Sequence, residues 1–266
     1  MAIATLVSNA VSAVVVILIL IFDKRIFVNL TFKNFRLYKQ ETIDILYHGL
    51  LSGLQGCFFS LSNVLIQSAV NGFGNATIAA NAACINIESY IYFFLNAIGM
   101  ATLSMVGQNY GAKKYDNIKL ALKYAMILET VCGLVVGGFI ILLREPLLKA
   151  ILNETEPGFD EILKIGSQRL IIICSTHFID GYMEAGGSYL RGLKKSLTPA
   201  LITLIGSVIL RIIFLTTLFN LEYFHTYLWV TLLYPITWVL TSLAYVVAII
   251  YYNKKLLVNK VDAATC

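Results

Sequence analysis

The sequence predicts an all-α fold, a polytopic membrane bundle of about seven transmembrane helices. Three observations predict it. Of the 266 residues 58% are hydrophobic and only 13% charged, with a mean hydropathy of +0.78, whereas a soluble domain carries about 25% charged residues. The apolar residues fall into runs long enough to cross a bilayer, which takes about 20 helical residues. The ten-residue alternating segments of a membrane β-barrel are missing. The net charge of +5 does not point to nucleic acid, because the basic residues sit in short clusters between apolar runs, the pattern that sets membrane topology.

Seven runs read as spans: 2–22, 46–70, 77–107, 119–143, 162–190, 198–219 and 227–252. The first lacks a basic leader and is too long for a signal-peptide core, so it reads as a span. The third and fifth are long enough to tilt or project from the bilayer. Between the first two spans, Phe27, Leu30, Phe35 and Leu37 interleave with Lys33, Arg36 and Lys39. Residues 23–45 therefore read as a basic amphipathic segment along the inner membrane surface, or equally as a plain basic loop. Residues 46–255 read as a six-helix unit and 256–266 as a tail.

The connections alternate in charge. Those after the first, third, fifth and seventh spans hold 15 of the 20 basic residues, among them Lys24, Arg25, Lys113, Lys114, Lys194, Lys195, Lys254 and Lys255. The stretches 71–76 and 220–226 hold none, and 144–169 balances four basic residues with acids. The positive-inside rule makes the first set cytoplasmic, with the N-terminus outside and the C-terminus inside, and a plasma-membrane location is expected. The five cysteines are scattered without metal-like spacing and read as small hydrophobes. His48, His177 and His225 stand far apart. With no nucleotide loop, metal cluster or nucleophile constellation, the sequence gives no case for an enzyme or a bound cofactor.

Ionisable residues at bilayer depth are functional candidates by default. Glu88, Glu129, Asp180, Glu184 and Arg211 are the five. His177, Asp180, Glu184, Ser188 and Arg191 follow at spacings of 3, 4, 4 and 3 and share one helical face. Two carboxylates one turn apart repel, and burial adds a desolvation cost, so the pair favours taking up a proton or exchanging a cation. The alternative is that these acids pair with His177 or Arg211 and hold helices together. Asn81, Glu88, Tyr92 and Asn96 share a face of the third span and can line a cavity for an aromatic cation, or serve as interhelical hydrogen bonds. Gln55, Asn63 and Gln67 share a face of the second. Glu129 reads as structural or snorkelled, and Arg211 as a buried ion-pair partner. Glycines such as 133, 137, 138, 186 and 187 allow close helix approach.

Several motifs resemble one family. Gly107-Gln108-Asn109-Tyr110-Gly111-Ala112, closing a long span before a basic loop, is similar to the V-G-Q-x-x-G-A signature of the multidrug and toxic compound extrusion (MATE) family. Ala79–Ala83 with Asn86-Ile87-Glu88, Tyr189-Leu190-Arg191-Gly192 with Thr198-Pro199, Leu210-Arg211-Ile212 and Tyr234-Pro235-Ile236-Thr237-Trp238 resemble family elements in the same order. The resemblance implies twelve helices in two six-helix lobes around a central cavity, with this chain covering the sixth helix and the C-terminal lobe. On that reading the chain is a truncated or half-length form that needs a partner lobe or a second copy.

Asp180 and Glu184 stand at the two positions where family members carry a coupling acid before the L-R-G arginine, and Glu88 substitutes for an acid that some members carry in the second span. The family lacks a resident cofactor and uses H⁺ or Na⁺ as coupling ion. The implied function is efflux of cationic amphipathic compounds in antiport with that ion, across the lipid bilayer. The chain departs from the family at Ser52-Gly53-Leu54, where members often have proline, and at Gly192–Lys195, which lacks a second glycine. The competing readings are a flippase of related fold for lipid-linked saccharides, a seven-helix receptor and a non-transporting fragment. Cationic cavity residues would suit the first of these, and intramembrane acids outnumber arginines here four to one by this count. A retinal protein needs a lysine in its last span, and 227–252 has none.

Overall fold

Apolar side chains cannot hide in a chain this poor in charge, so its helices present them outward. The structure is a computed structural model that describes residues 2–22, 36–153 and 158–265, with side chains at 6–22, 36–153 and 158–254. Its described residues form helices and turns with no strand. Val135, Leu142, Phe93 and Val247 are each more than half exposed, as expected of helices that meet lipid.

Among the described residues the α-helices are, in order, α1 (Ala2–Phe22), α2 (Lys39–Val70), α3 (Asn75–Gly111), α4 (Tyr115–Leu142), α5 (Arg144–Ile151), α6 (Phe159–Gly192), α7 (Leu197–Thr203), α8 (Leu210–Thr216) and α9 (Tyr227–Thr265). A π-helical stretch, Leu204–Ile209, joins α7 to α8 into one span. Among the described residues six spans are long and apolar enough to cross a membrane, and α1 is a further apolar helix.

The chain divides into two compact units, 1–47 and 48–266. The first holds α1 and the opening turns of α2. Most of the expected amphipathic segment, with Phe27, Leu30, Lys33 and Phe35, lies outside the described residues. Helix α2 begins at Lys39 rather than at 46, because Glu41 in its first turn suits the helix dipole. The expected tail from 256 continues α9 as helix. The eight-residue α5 falls in a stretch read as connection, and it seats Leu148 in the core.

In the second unit α6 is central, with α3, α4 and α9 packed along it. A lipid environment gives apolar side chains little reason to associate, so small residues that let backbones touch decide the packing. A Cβ at Gly137 would stand 2.5 Å from the Cys174 carbonyl oxygen, and one at Gly133 2.7 Å from the Phe178 Cβ. Gly138, one residue on, meets nothing within 4 Å. On the other side of α6, Tyr245 of α9 lies over Gly186 and Gly187. Pro235 inside α9 removes one backbone donor from its ladder.

These contacts predict a contrast between neighbours. In detergent thermal melts, Gly137→Ala will be less stable than Gly138→Ala by about 1–3 kcal/mol, the usual cost of overpacking. Equal melting temperatures would mean that α4 does not seat on α6 at Gly137.

Candidate functional site

The polar face of α6 opens onto a cavity of ≈ 530 Å³ whose wall is built by α2, α3, α6, α7 and α9. Gln55, Tyr92, Asn96, Asp180, Glu184 and Arg191 line it, with Phe59, Met100 and Tyr245 supplying apolar surface. The stripe spacing on α6 is what brings Asp180, Glu184 and Arg191 to one wall.

Arg191 organises that wall. It donates to Glu184 Oε1 at 3.0 Å, to Ser188 Oγ at 2.8 Å and to Gln55 Oε1 at 2.9 Å. Ser188 donates to the same Glu184 oxygen at 3.3 Å. Gln55 in turn donates to Thr203 Oγ1 at 3.0 Å. Glu184 reaches this position because α3 carries no side chain at Gly99, where a Cβ would be 2.6 Å from the Glu184 Cγ. Glu184 is therefore neutralised by an arginine seven residues on along the same face, at 3.0 Å.

Asp180 is not. Its side chain is 9% exposed, and His177 Nε2 lies 3.8 Å from Oδ2, beyond hydrogen-bond reach. Among the described residues no lysine or arginine comes within ion-pair distance of it. Opposite, Asn96 donates to the Tyr92 hydroxyl at 3.4 Å.

The remaining predicted residues go elsewhere. His177 is buried and meets Trp238 edge-on, with ring centroids 5.1 Å apart. Asn81 donates to Gln67 Oε1 at 2.9 Å and accepts from the Tyr227 hydroxyl at 3.1 Å. Asn63 accepts from Arg211 at 3.4 Å. These three lie outside the cavity wall and tie helices together.

Two further residues are held by partners of their own. Glu88, expected as a coupling acid, is closed off by Arg169: the guanidinium Nε and Nη2 donate to its two oxygens at 2.8 and 2.9 Å. A bidentate, buried pair leaves no lone carboxylate for a transported ion. Arg211, expected in an ion pair, is fully buried and met by hydroxyls instead. It donates to Ser62 Oγ at 2.8 Å and to Thr237 Oγ1 at 3.2 Å, and Ser62 passes the bond on to the Ser207 carbonyl. That carbonyl belongs to the π-helical stretch, whose wider turn leaves backbone groups free for outside partners.

Arg169 is the residue that sequence reasoning missed. It was grouped with an outer connection, yet it stands inside the apolar run 162–190, which is itself the signal. Its guanidinium lies 5.2 Å from the Tyr234 ring centroid, and that of Arg211 lies 4.7 Å from it. One aromatic ring of α9 thus faces both buried arginines. The intramembrane arginines are two rather than one, and each has its own partners.

Residues 52–217 match the family model described as MatE. A probable multidrug resistance protein NorM of Halalkalibacterium halodurans is 26% identical over 132 residues, 47% of this chain and 29% of that protein. A probable multidrug resistance protein YoeA of Bacillus subtilis is 23% identical over 154 residues, 57% of this chain and 33% of that protein. Among solved structures, a MATE in complex with MaL6 superposes with a TM-score of 0.80 at 19% identity, over 97% of this chain and 56% of that one. An outward-facing multidrug resistance MATE family transporter of the MOP superfamily gives 0.79 at 20% identity, over 97% and 56%. The chain thus spans little more than half the length of these solved chains, and at such identities the likeness speaks for the fold.

The Glu88–Arg169 pair makes a stability prediction. Breaking a buried pair from one side strands a charge and costs about 3–5 kcal/mol, whereas replacing both partners with apolar residues costs far less. Arg169→Met will therefore lower the melting temperature more than Arg169→Met with Glu88→Met. A double variant as unstable as the sum of its single variants would show that the two side chains do not pair.

Proposed function

The chain belongs to the MatE family, matched over more than half its length, and on that premise we propose that it forms one lobe of a secondary active transporter. The cargo is a cationic, amphipathic compound, expelled in antiport with H⁺ or Na⁺. The observation that carries this reading is the unmatched Asp180 carboxyl in a cavity wall that also offers Tyr92, Phe59 and Tyr245. A carboxylate without a protein cation is a site for a mobile one, and aromatic surface beside it favours a flat organic cation.

Exchange follows from single occupancy. Asp180 binds the cargo or the coupling ion, and each excludes the other. Arg191 keeps Glu184 engaged, so the wall holds one available negative charge rather than two. Arginines free to meet phosphates would suit an anionic, lipid-linked cargo, but Arg191, Arg169 and Arg211 all have protein partners.

Alternating access in transporters built from repeats rocks one repeat against another about a midplane site. The partner lobe here is a further part of the same polypeptide, a separate chain or a second copy. The charge pattern supports a plasma-membrane protein with the loop at Lys113–Lys114 inside and 220–226 outside. Cysteines introduced at Lys114 and Asn220 will label from opposite sides of the membrane, and labelling from one side would overturn the topology.

Asp180→Asn will reduce efflux of a cationic dye to background in cells that make the complete protein, with membrane insertion unchanged. Wild-type efflux by that variant would remove Asp180 from the exchange.

A further inference from the structure

Glu129 sits near the middle of α4, inside the bundle, and is 0% exposed. Neither of its carboxyl oxygens has a hydrogen-bond partner among the described residues. Its head rests on the backbone of α6: a Cβ at Gly181 would stand 2.6 Å from Oε2 and 3.1 Å from Cδ. Glycine at 181 is what admits the acid. The other membrane-embedded acids differ. Glu88 and Glu184 each have an arginine, and Asp180 borders the cavity.

The groups that face Glu129 sharpen the contrast. From α6 the charged groups acting on it are Asp180 and Glu184, both acids. The nearby α6 hydroxyl, Tyr182, is taken by Thr130 at 2.7 Å. From α4 itself Cys132 lies one turn on, and the acid of α3, Glu88, is committed to Arg169. Among the described residues no cationic side chain acts on the carboxyl. A lone carboxylate in a dry, apolar setting is so costly that such a group neutralises instead. The packing of α4 on α6 therefore accepts Glu129 only as the neutral acid.

We propose that Glu129 is an enclosed proton site, distinct from the cavity acids, whose occupancy is tied to the packing of α4 against α6. While the helices touch through Gly133, Gly137 and Gly181, the carboxyl keeps its proton. When they part, the O–H bond breaks, the proton passes to water entering between them, and a carboxylate remains. That new negative charge lies on the backbone next to Asp180, so it strengthens cation binding in the cavity. By reciprocity, a cation in the cavity favours the parted, deprotonated form. The coupling to transport rests on the antiport reading above; the protonation of Glu129 does not.

Infrared difference spectra of the purified chain in lipid at neutral pH, wild type against Glu129→Gln, test the site directly. The carbonyl stretch of a protonated carboxylic acid is expected in the wild type and lost in the variant. An unchanged acid band, with the loss falling instead in the carboxylate bands, would show Glu129 ionised and overturn the proposal. Glutamine matches the neutral acid in shape, so the variant is expected to fold. In the complete protein, Glu129→Gln will slow dye efflux by at least about tenfold and weaken dye binding, because a side chain fixed in the neutral form cannot supply the charge that strengthens it. Wild-type efflux with an unaltered pH profile would overturn the coupling. If the wild type itself moves no dye, the antiport reading fails while the infrared result still decides the proton site.

Discussion

Helix α6 must place Arg169, His177, Asp180, Glu184 and Arg191 at membrane depth, and the lobe is arranged around that necessity. Each polar group has to find its partner on another helix or on its own. Arg169 draws in Glu88 of α3 and Tyr234 of α9. Arg191 draws in Gln55 of α2. The resulting bonds fix which face of each neighbour looks inward, a choice that lipid, as apolar as leucine, cannot enforce by itself.

The same bookkeeping separates scaffold from site. Where partners are complete, as at Arg169 and Glu88 or at Arg211 with Ser62 and Thr237, the group anchors helices and has nothing left to offer a ligand. Where they are incomplete, a ligand or a proton has a place. Asp180 has only a distant histidine and borders a cavity. Glu129 has no hydrogen-bond partner among the described residues and is fully buried. The two acids are neighbours through Gly181, yet one addresses the cavity and the other the helix contact.

Much of this was readable from the residues. Seven apolar runs define the spans because their length is dictated by bilayer thickness. The spacing of four from Asp180 to Glu184 and seven on to Arg191 places the α6 side of the cavity wall, because those offsets close on one face of a helix. Partner choice was not readable. Glu88 and Arg169 are 81 residues apart, and nothing local in either segment points to the other. Arg211 looked like an ion-pair residue because charge suggests opposite charge, whereas the π-helical stretch and two hydroxyls satisfy it. Helix α5 escaped because eight residues with mixed polarity resemble a connection.

Glu129 shows where sequence carried more than its first reading. Ala121, Ala125, Glu129, Gly133 and Gly137 recur every four residues, and all are buried. A stripe of small residues on a membrane helix marks the face that meets another helix. An acid set within that stripe cannot snorkel to the interface, because the residues on either side of it are the ones that seal the contact. The pattern alone places the carboxyl between α4 and a neighbour, and the fold adds that the neighbour is α6, at the glycine beside Asp180. Helix contact and charge state at this position are therefore one variable: α4 cannot close on Gly181 around a bare carboxylate, and the acid cannot keep its proton unchallenged once water separates the two helices.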